Sequence, residues 1–324
     1  MPAPSHPHQF RRHRRRRDER FPDRANPPRN PASQGQVTLL DRATRRLLDR
    51  LRLPVPPKAT AGRQGGHRSP VLASGLEFAD HRHYVPGDDF RRIDWKAFAR
   101  LGQLTIRQFE EERDARVYVM VDLSSSMLMG EPPKVDVARR LAAAFSYLGM
   151  KQFDAVHVIP FSSDAAHPSS TLRHRGQFPS LENFLGAMEE GGETNFVQAT
   201  HTFARRFATH GVVVVVTDLM APEGWEDGFK LLGALGHQVH VVRVGCKGDD
   251  RPKLRGEVEL VDSENGERLR LRVSRELLKA YAQVIREHVD ACRKAALRVG
   301  GRFVEVDSSL ATDRLVRAAL GGAK

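Results

Sequence analysis

The chain has 324 residues, 40% of them apolar, and 52 Lys and Arg against 40 Asp and Glu give a formal charge of +12. That length allows a full core with a smaller second domain. Two cysteines, Cys246 and Cys292, exclude a disulfide scaffold and a Cys-rich zinc site.

Residues 1–35 hold nine arginines against Asp18, Glu19 and Asp23, so much of the charge sits in one tenth of the chain. The segment is nearly free of aliphatics and is predicted to be a disordered tail, because it cannot offset its ordering entropy by burial. Its Arg run suits phosphate polymers, which keeps a nucleic-acid binder among the alternatives, though a disfavoured one. No apolar stretch follows the arginines, and the longest purely apolar run, 212–216, is too short to span a bilayer. A cytoplasmic protein without a membrane partner is expected.

Leu39, Leu40, Ala43, Leu47, Leu48 and Leu51 recur at helical spacing and stop before Pro54, predicting an amphipathic helix. Residues 58–75 read as a Gly-rich basic loop, and 77–113 as a charge-dense segment of short strands and turns. Beyond Asp114 strongly apolar strands alternate with helices. Strands are predicted at 117–121, 155–161, 212–216, 239–244 and 303–306. Helices fall at 134–150, 178–188, 196–207, 225–235, 274–299 and 310–320. Alternating Val258, Leu260, Leu269, Leu271 and Val273 around Asn265-Gly266 give a hairpin inserted near 257–273.

The pattern implies an α/β fold, a doubly wound and mostly parallel sheet covered on both faces. Three segments are expected: the tail 1–35, a helix plus charged β segment over 36–113, and an α/β domain over 114–322. The strand-like stretches 76–112 and 257–273 are expected to join in one small β-rich lobe, since neither buries a face alone.

Asp122 and Asp218 each end an apolar strand, which in an open parallel sheet puts both at the carboxyl edge. Asp122 opens a D-x-S-x-S run with Ser124 and Ser126. A third loop, Gly191-Gly192-Glu193-Thr194, presents the Thr194 hydroxyl. Two acids and three neutral hydroxyls suit a hard cation, Mg²⁺ or Mn²⁺, that keeps a position open for an acidic group. The competing reading is that Ser124 and Ser126 only cap the following helix.

At these residues the sequence resembles the von Willebrand factor A-type fold with its metal-ion-dependent adhesion site. Asp122, Ser124 and Ser126 match the first motif of that site, Thr194 the second and Asp218 the third. The resemblance implies direct ligation by the hydroxyls, with the acids acting directly or through water.

Upstream, Arg82, Tyr84, Pro86, Gly87, Asp88, Asp89, Arg91, Asp94, Trp95 and Arg100 follow in close order. With them the chain resembles, over about 38–322, the bacterial domain of unknown function 58 family. That family couples such a segment to an A-type domain and commonly sits beside MoxR-type AAA ATPases. Physically the segment is either an ion-paired glue with Trp95 as apolar anchor or a partner-docking surface.

Enzyme motifs are missing: there is no G-x-S-x-G, no P-loop, no dinucleotide fingerprint and no H-E-x-x-H. The expectation is a non-catalytic, metal-dependent interaction adaptor. Its partner would supply an acidic residue, with a MoxR-type AAA ATPase or its client as the class the resemblance implies. A metal-dependent phosphoesterase is the enzymatic alternative.

Overall fold

The computed structural model describes residues 10–13, 38–53, 76–85, 93–111, 116–153, 155–165, 167–249, 252–264 and 266–321. Its early elements are β1 (Phe10–His13), α1 (Arg42–Arg50), β2 (Leu76–His83), α2 (Trp95–Leu101) and β3 (Thr105–Glu111). Then come β4 (Arg116–Asp122), α3 (Lys134–Gln152), β5 (Ala155–Phe161), α4 (Phe178–Gly186), α5 (Phe196–Arg206) and β6 (Val212–Thr217). The chain closes with α6 (Trp225–Ala234), β7 (Gln238–Gly245), β8 (Gly256–Asp262), β9 (Arg268–Val273), α7 (Arg275–Arg298), β10 (Arg302–Asp307) and α8 (Thr312–Ala319). These divide into two compact units, Met1–Val55 with Ala115–Lys324, and Pro56–Asp114.

The larger unit is built on a five-stranded sheet of order β10-β7-β6-β4-β5, parallel at every pairing. Its central strands have the continuous apolar sequence that a sheet buried on both faces requires. All six residues of β6 are buried. The pleat divides them. Val117, Val119, Val121 and Val214 face a core shared with α1, α3, α4 and α8. Tyr118, Met120, Val213 and Val215 face a second core with α5, α6 and α7. This is the doubly wound α/β architecture expected from the sequence.

The strand order reverses around β4. β5 lies on one side of it, and the chain then crosses back to place β6, β7 and β10 on the other. Such a reversal opens a crevice at the carboxyl ends of the strands, where ligands bind in sheets of this kind. Asp122, the last residue of β4, and Thr217-Asp218, at the end of β6, both lie there.

Two expectations about the N-terminal part are corrected. The helix α1 belongs to the α/β unit, whereas the sequence grouped it with the charged segment over 36–113. Leu40 and Leu48 are fully buried in the core with α3 and α4. The buried Glu182 carboxylate of α4 accepts from the Leu39 backbone N–H at 2.8 Å and from the Arg45 guanidinium at 3.0 and 3.1 Å. The amphipathic stripe therefore finds its partner about 140 residues away, which no local composition reveals.

The tail is the second. Residues 10–13 are strand β1, paired antiparallel with β8 from Phe10↔Asp262 to His13↔Glu259. A free hairpin edge offers unpaired backbone groups to any extended segment, whatever its charge. The rest of 1–35 lies outside the described residues.

In the smaller unit β2 and β3 pair antiparallel, from Leu76↔Glu111 to His83↔Thr105. Arg82 lies on β2, and the Tyr84 backbone N–H donates to Leu104 O at 2.9 Å. Asp94 caps α2, its carboxylate accepting from the N–H groups of Lys96 and Ala97 at 3.0 and 3.1 Å. Arg100 is exposed in the last turn of α2. Trp95 is 60% exposed, and its ring meets that of Phe98 edge to face. Pro86, Gly87, Asp88, Asp89 and Arg91 lie outside the described residues.

The shared β lobe is likewise corrected. β2 and β3 form a sheet of two, while β8 and β9 form a separate sheet with β1. The hairpin β8–β9 satisfied its open edge with the N-terminal strand instead.

Candidate metal centre

The parallel register sets Val121 beside Val216 and so brings Asp122 next to Thr217 one step further on. The Thr217 hydroxyl donates to Asp122 Oδ2 at 2.6 Å, and the Ser124 N–H donates to Oδ1 at 3.0 Å. Asp122 is fully buried. Burial first, and then the negative charge of Asp218, holds its carboxyl above the ordinary carboxylate range, against the two hydrogen bonds. Two buried acids facing each other are what a divalent cation relieves.

Ser124 and Ser126 are equally buried, and their hydroxyl oxygens lie 3.0 Å apart. Ser124 occupies the N-cap position of a short 3₁₀ turn (Ser125–Leu128), yet its hydroxyl makes no capping bond. The capping alternative fails for Ser124. Its hydroxyl is kept for the interior of the site.

The glycine loop approaches as the sequence implied. Gly191 and Gly192 adopt φ of 134° and 83°, a region open to glycine and strained for other residues. In that conformation the Gly191 N–H donates to Leu123 O at 2.8 Å and the Ser125 N–H donates to Gly192 O at 3.0 Å. Thr194 is thereby tied to the D-x-S-x-S loop through main-chain bonds.

Asp218 differs from the simple picture. Its Oδ2 accepts from the Lys134 ammonium at 2.5 Å, while Oδ1 accepts from the Met220 N–H at 3.1 Å. Lys134, the first residue of α3, is buried and also reaches Asp249 at 3.4 Å. Burial opposes its charge, but Asp218 and Asp249 outweigh that and hold the ammonium protonated well above the ordinary lysine range. Asp249 in turn accepts from the Cys246 N–H at 2.8 Å and from its thiol at 3.1 Å. Burial first, and then Asp249, pushes that thiol up.

Thr194 has an unanticipated neighbour. At the tip of the β8–β9 hairpin, Glu264 accepts from the Thr194 N–H at 3.3 Å and from its hydroxyl at 3.2 Å. Burial pushes the Glu264 carboxyl up to about 7, and Asp122 and Asp218 add to the rise against the two Thr194 bonds. It therefore lies within the electrostatic reach of both candidate acids.

Lys134, Asp249 and Glu264 were not singled out from sequence. Lys134 does leave one sign, since a cation in the first helical turn runs against the helix dipole and calls for a local reason. Glu264 leaves none.

The candidate ligands fit a hard cation in that all of them are oxygens, with the Lys134 ammonium standing beside them at Asp218. Among the described residues no group of three or more His, Cys, Asp or Glu side chains assembles a metal cluster. A cation here would depend on the Ser124, Ser126 and Thr194 hydroxyls as much as on Asp122 and Asp218.

The uncharacterized protein Rv1480 of Mycobacterium tuberculosis is 26% identical over 228 residues, covering 67% of this chain and 69% of that protein. Among solved structures, the conserved hypothetical protein BatB from Bacteroides thetaiotaomicron has 20% identity and a TM-score of 0.42, covering 64% of this chain and 97% of that one. The VWA domain of SpRpn10 has 11% identity and a TM-score of 0.41, covering 65% and 98%. The family model described as protein of unknown function DUF58 matches residues 80–291, from β2 into α7. Matched over more than half its length, this chain, with its α/β fold on a five-stranded parallel sheet, belongs to the DUF58 family.

Proposed function

We propose that this DUF58 protein is a non-catalytic interaction module that grips an acidic side chain of a protein partner through Mg²⁺ or Mn²⁺ at the carboxyl edge of its sheet. The observation that carries the reading is the buried pair of Ser124 and Ser126 hydroxyls, 3.0 Å apart, directly beside the buried Asp122. Ser124, Ser126 and Thr194 would hold the cation without adding charge, and Asp122 with Asp218 would balance it. A bound divalent cation supplies an electrophilic position that a carboxylate completes.

The chain's own groups favour binding over turnover. Lys134 is ion-paired with Asp218 and Asp249, and the Cys246 thiol donates to Asp249, so both groups are engaged in bonds within the chain. The positive charge of Lys134 is already taken by Asp218 and Asp249, which leaves no clamp there for a phosphate. The partner class proposed is a MoxR-type AAA ATPase or its client, on the family resemblance.

The test is co-purification of the full chain with the AAA ATPase in Mg²⁺ and in EDTA, with Thr194→Ala and Asp218→Ala as variants. Association lost in EDTA and in both variants is expected. Association indifferent to all three removes the metal from the mechanism. Turnover of a phosphoester by the purified chain moves the case to the phosphoesterase.

A further inference from the structure

We propose that Glu264 is a built-in carboxylate ligand of the candidate metal centre, delivered by the β8–β9 hairpin to the position that a partner's acid would otherwise take. This rests on the metal reading above and deepens it.

Three observations lead there. The first is placement. Asp122, Ser124, Ser126 and Asp218 are almost wholly buried, whereas Thr194 is only partly so and marks the side open to an incoming ligand. Glu264 is on that side, with both carboxylate oxygens engaged by Thr194. An acid that meets the candidate ligand on its open side stands where a carboxylate from another molecule would approach.

The second is how the hairpin aims it. The Glu264 N–H donates to Asp262 Oδ1 at 2.7 Å, the Asp262 N–H donates to Glu267 O at 2.8 Å, and the Gly266 N–H donates to Asp262 O at 3.1 Å. Gly266 takes φ of 75°, the left-handed conformation that closes such a turn. Glu264 is therefore held by a turn bonded to itself, and its side chain leaves the hairpin for a residue 70 positions earlier.

The third is charge. Lys134 holds one oxygen of Asp218 at 2.5 Å and so offsets part of the charge that acid brings to a cation. A third carboxylate restores what the lysine removes.

Leu260, Leu269, Leu271 and Val273 on the hairpin strands line a cavity of about 860 Å³ together with Met220 and Tyr281. Exchange of Glu264 for a partner's carboxylate replaces one oxygen ligand by another of the same charge, so a partner can displace it without a change in cation charge balance.

The experiment uses the full chain and Mn²⁺ alone as probe. Mn²⁺ affinity is measured by electron paramagnetic resonance, and bound water by proton relaxation, in the native chain and in Glu264→Gln, Glu264→Ala and Asp122→Ala. Gln keeps the shape, and its oxygen still accepts from the Thr194 N–H while its amide donates to the Thr194 hydroxyl, but the charge is gone. The expected result is Mn²⁺ affinity reduced about tenfold or more in both Glu264 variants, with one additional exchanging water on the bound ion. Native affinity and native hydration in both variants overturn the role of Glu264 and leave the metal centre standing, provided Asp122→Ala still abolishes binding. Absence of Mn²⁺ binding in the native chain overturns both.

Discussion

Replacing Lys134 by Met is expected to lower the stability of the metal-free chain by about 3–5 kcal/mol, the usual loss when one partner of a buried ion pair is removed. Methionine fills the volume of the lysine stem, so the loss is electrostatic rather than steric. Without the ammonium, the Asp218 and Asp249 carboxylates are left buried with no countercharge, and Asp218 also faces Asp122. The metal reading adds a second half to this prediction. Mg²⁺ becomes the cation nearest to Asp218, so it restores more stability to the variant than to the native chain. Saturation at about one hundred times Kd contributes about 2.7 kcal/mol by mass action alone, and the variant binds more tightly. Urea denaturation with and without Mg²⁺ measures both. A variant equally destabilised and unaffected by Mg²⁺ shows that Lys134 balances charge in a site that takes no metal.

Asp122→Asn separates binding from folding in the opposite sense. Asparagine keeps the shape, and its oxygen still accepts from the Ser124 N–H. The Thr217 hydroxyl, which donates to Asp122 and accepts from the Leu219 N–H at 3.0 Å, accepts from the new amide only by giving up its own donor bond at this position. The substitution removes a charge that burial and Asp218 both disfavour. In the absence of metal the melting temperature is therefore expected to hold or rise. Divalent-cation affinity is expected to fall roughly 100-fold or more, beyond the loss typical for groups that only support a ligand. Thermal melts at graded Mg²⁺ concentrations check it, since the metal-dependent rise of the native chain disappears in the variant. A rise of equal size in both places the ion elsewhere.

The sheet was legible because its strands are written locally. Runs such as 117–121 and 212–216 are apolar at every position, and only a strand covered on both faces tolerates that. Asp122 and Asp218 were then legible as the ends of two of those strands, while Ser124 and Ser126 were read from the D-x-S-x-S run and Thr194 from its glycine loop. What escaped were pairings between distant segments. Lys134 meets Asp218 across 84 residues and Thr194 meets Glu264 across 70. Neither leaves a periodic trace. Leu40 and Leu48 showed that α1 buries a face, but not that the face belongs to α3 and α4. The tail composition concealed β1 because backbone pairing with a hairpin edge asks nothing of side-chain polarity.

The central claim is that the carboxyl edge of the sheet holds a divalent cation between neutral hydroxyls and acids. It is tested most directly by anomalous diffraction at the manganese edge from crystals of the full chain grown with millimolar Mn²⁺. The account predicts one anomalous peak bordered by the hydroxyls of Ser124 and Ser126 and the carboxylate of Asp122, and no such peak in crystals of Asp122→Ala. A map without a peak there in the native chain, or with the same peak in the variant, contradicts it.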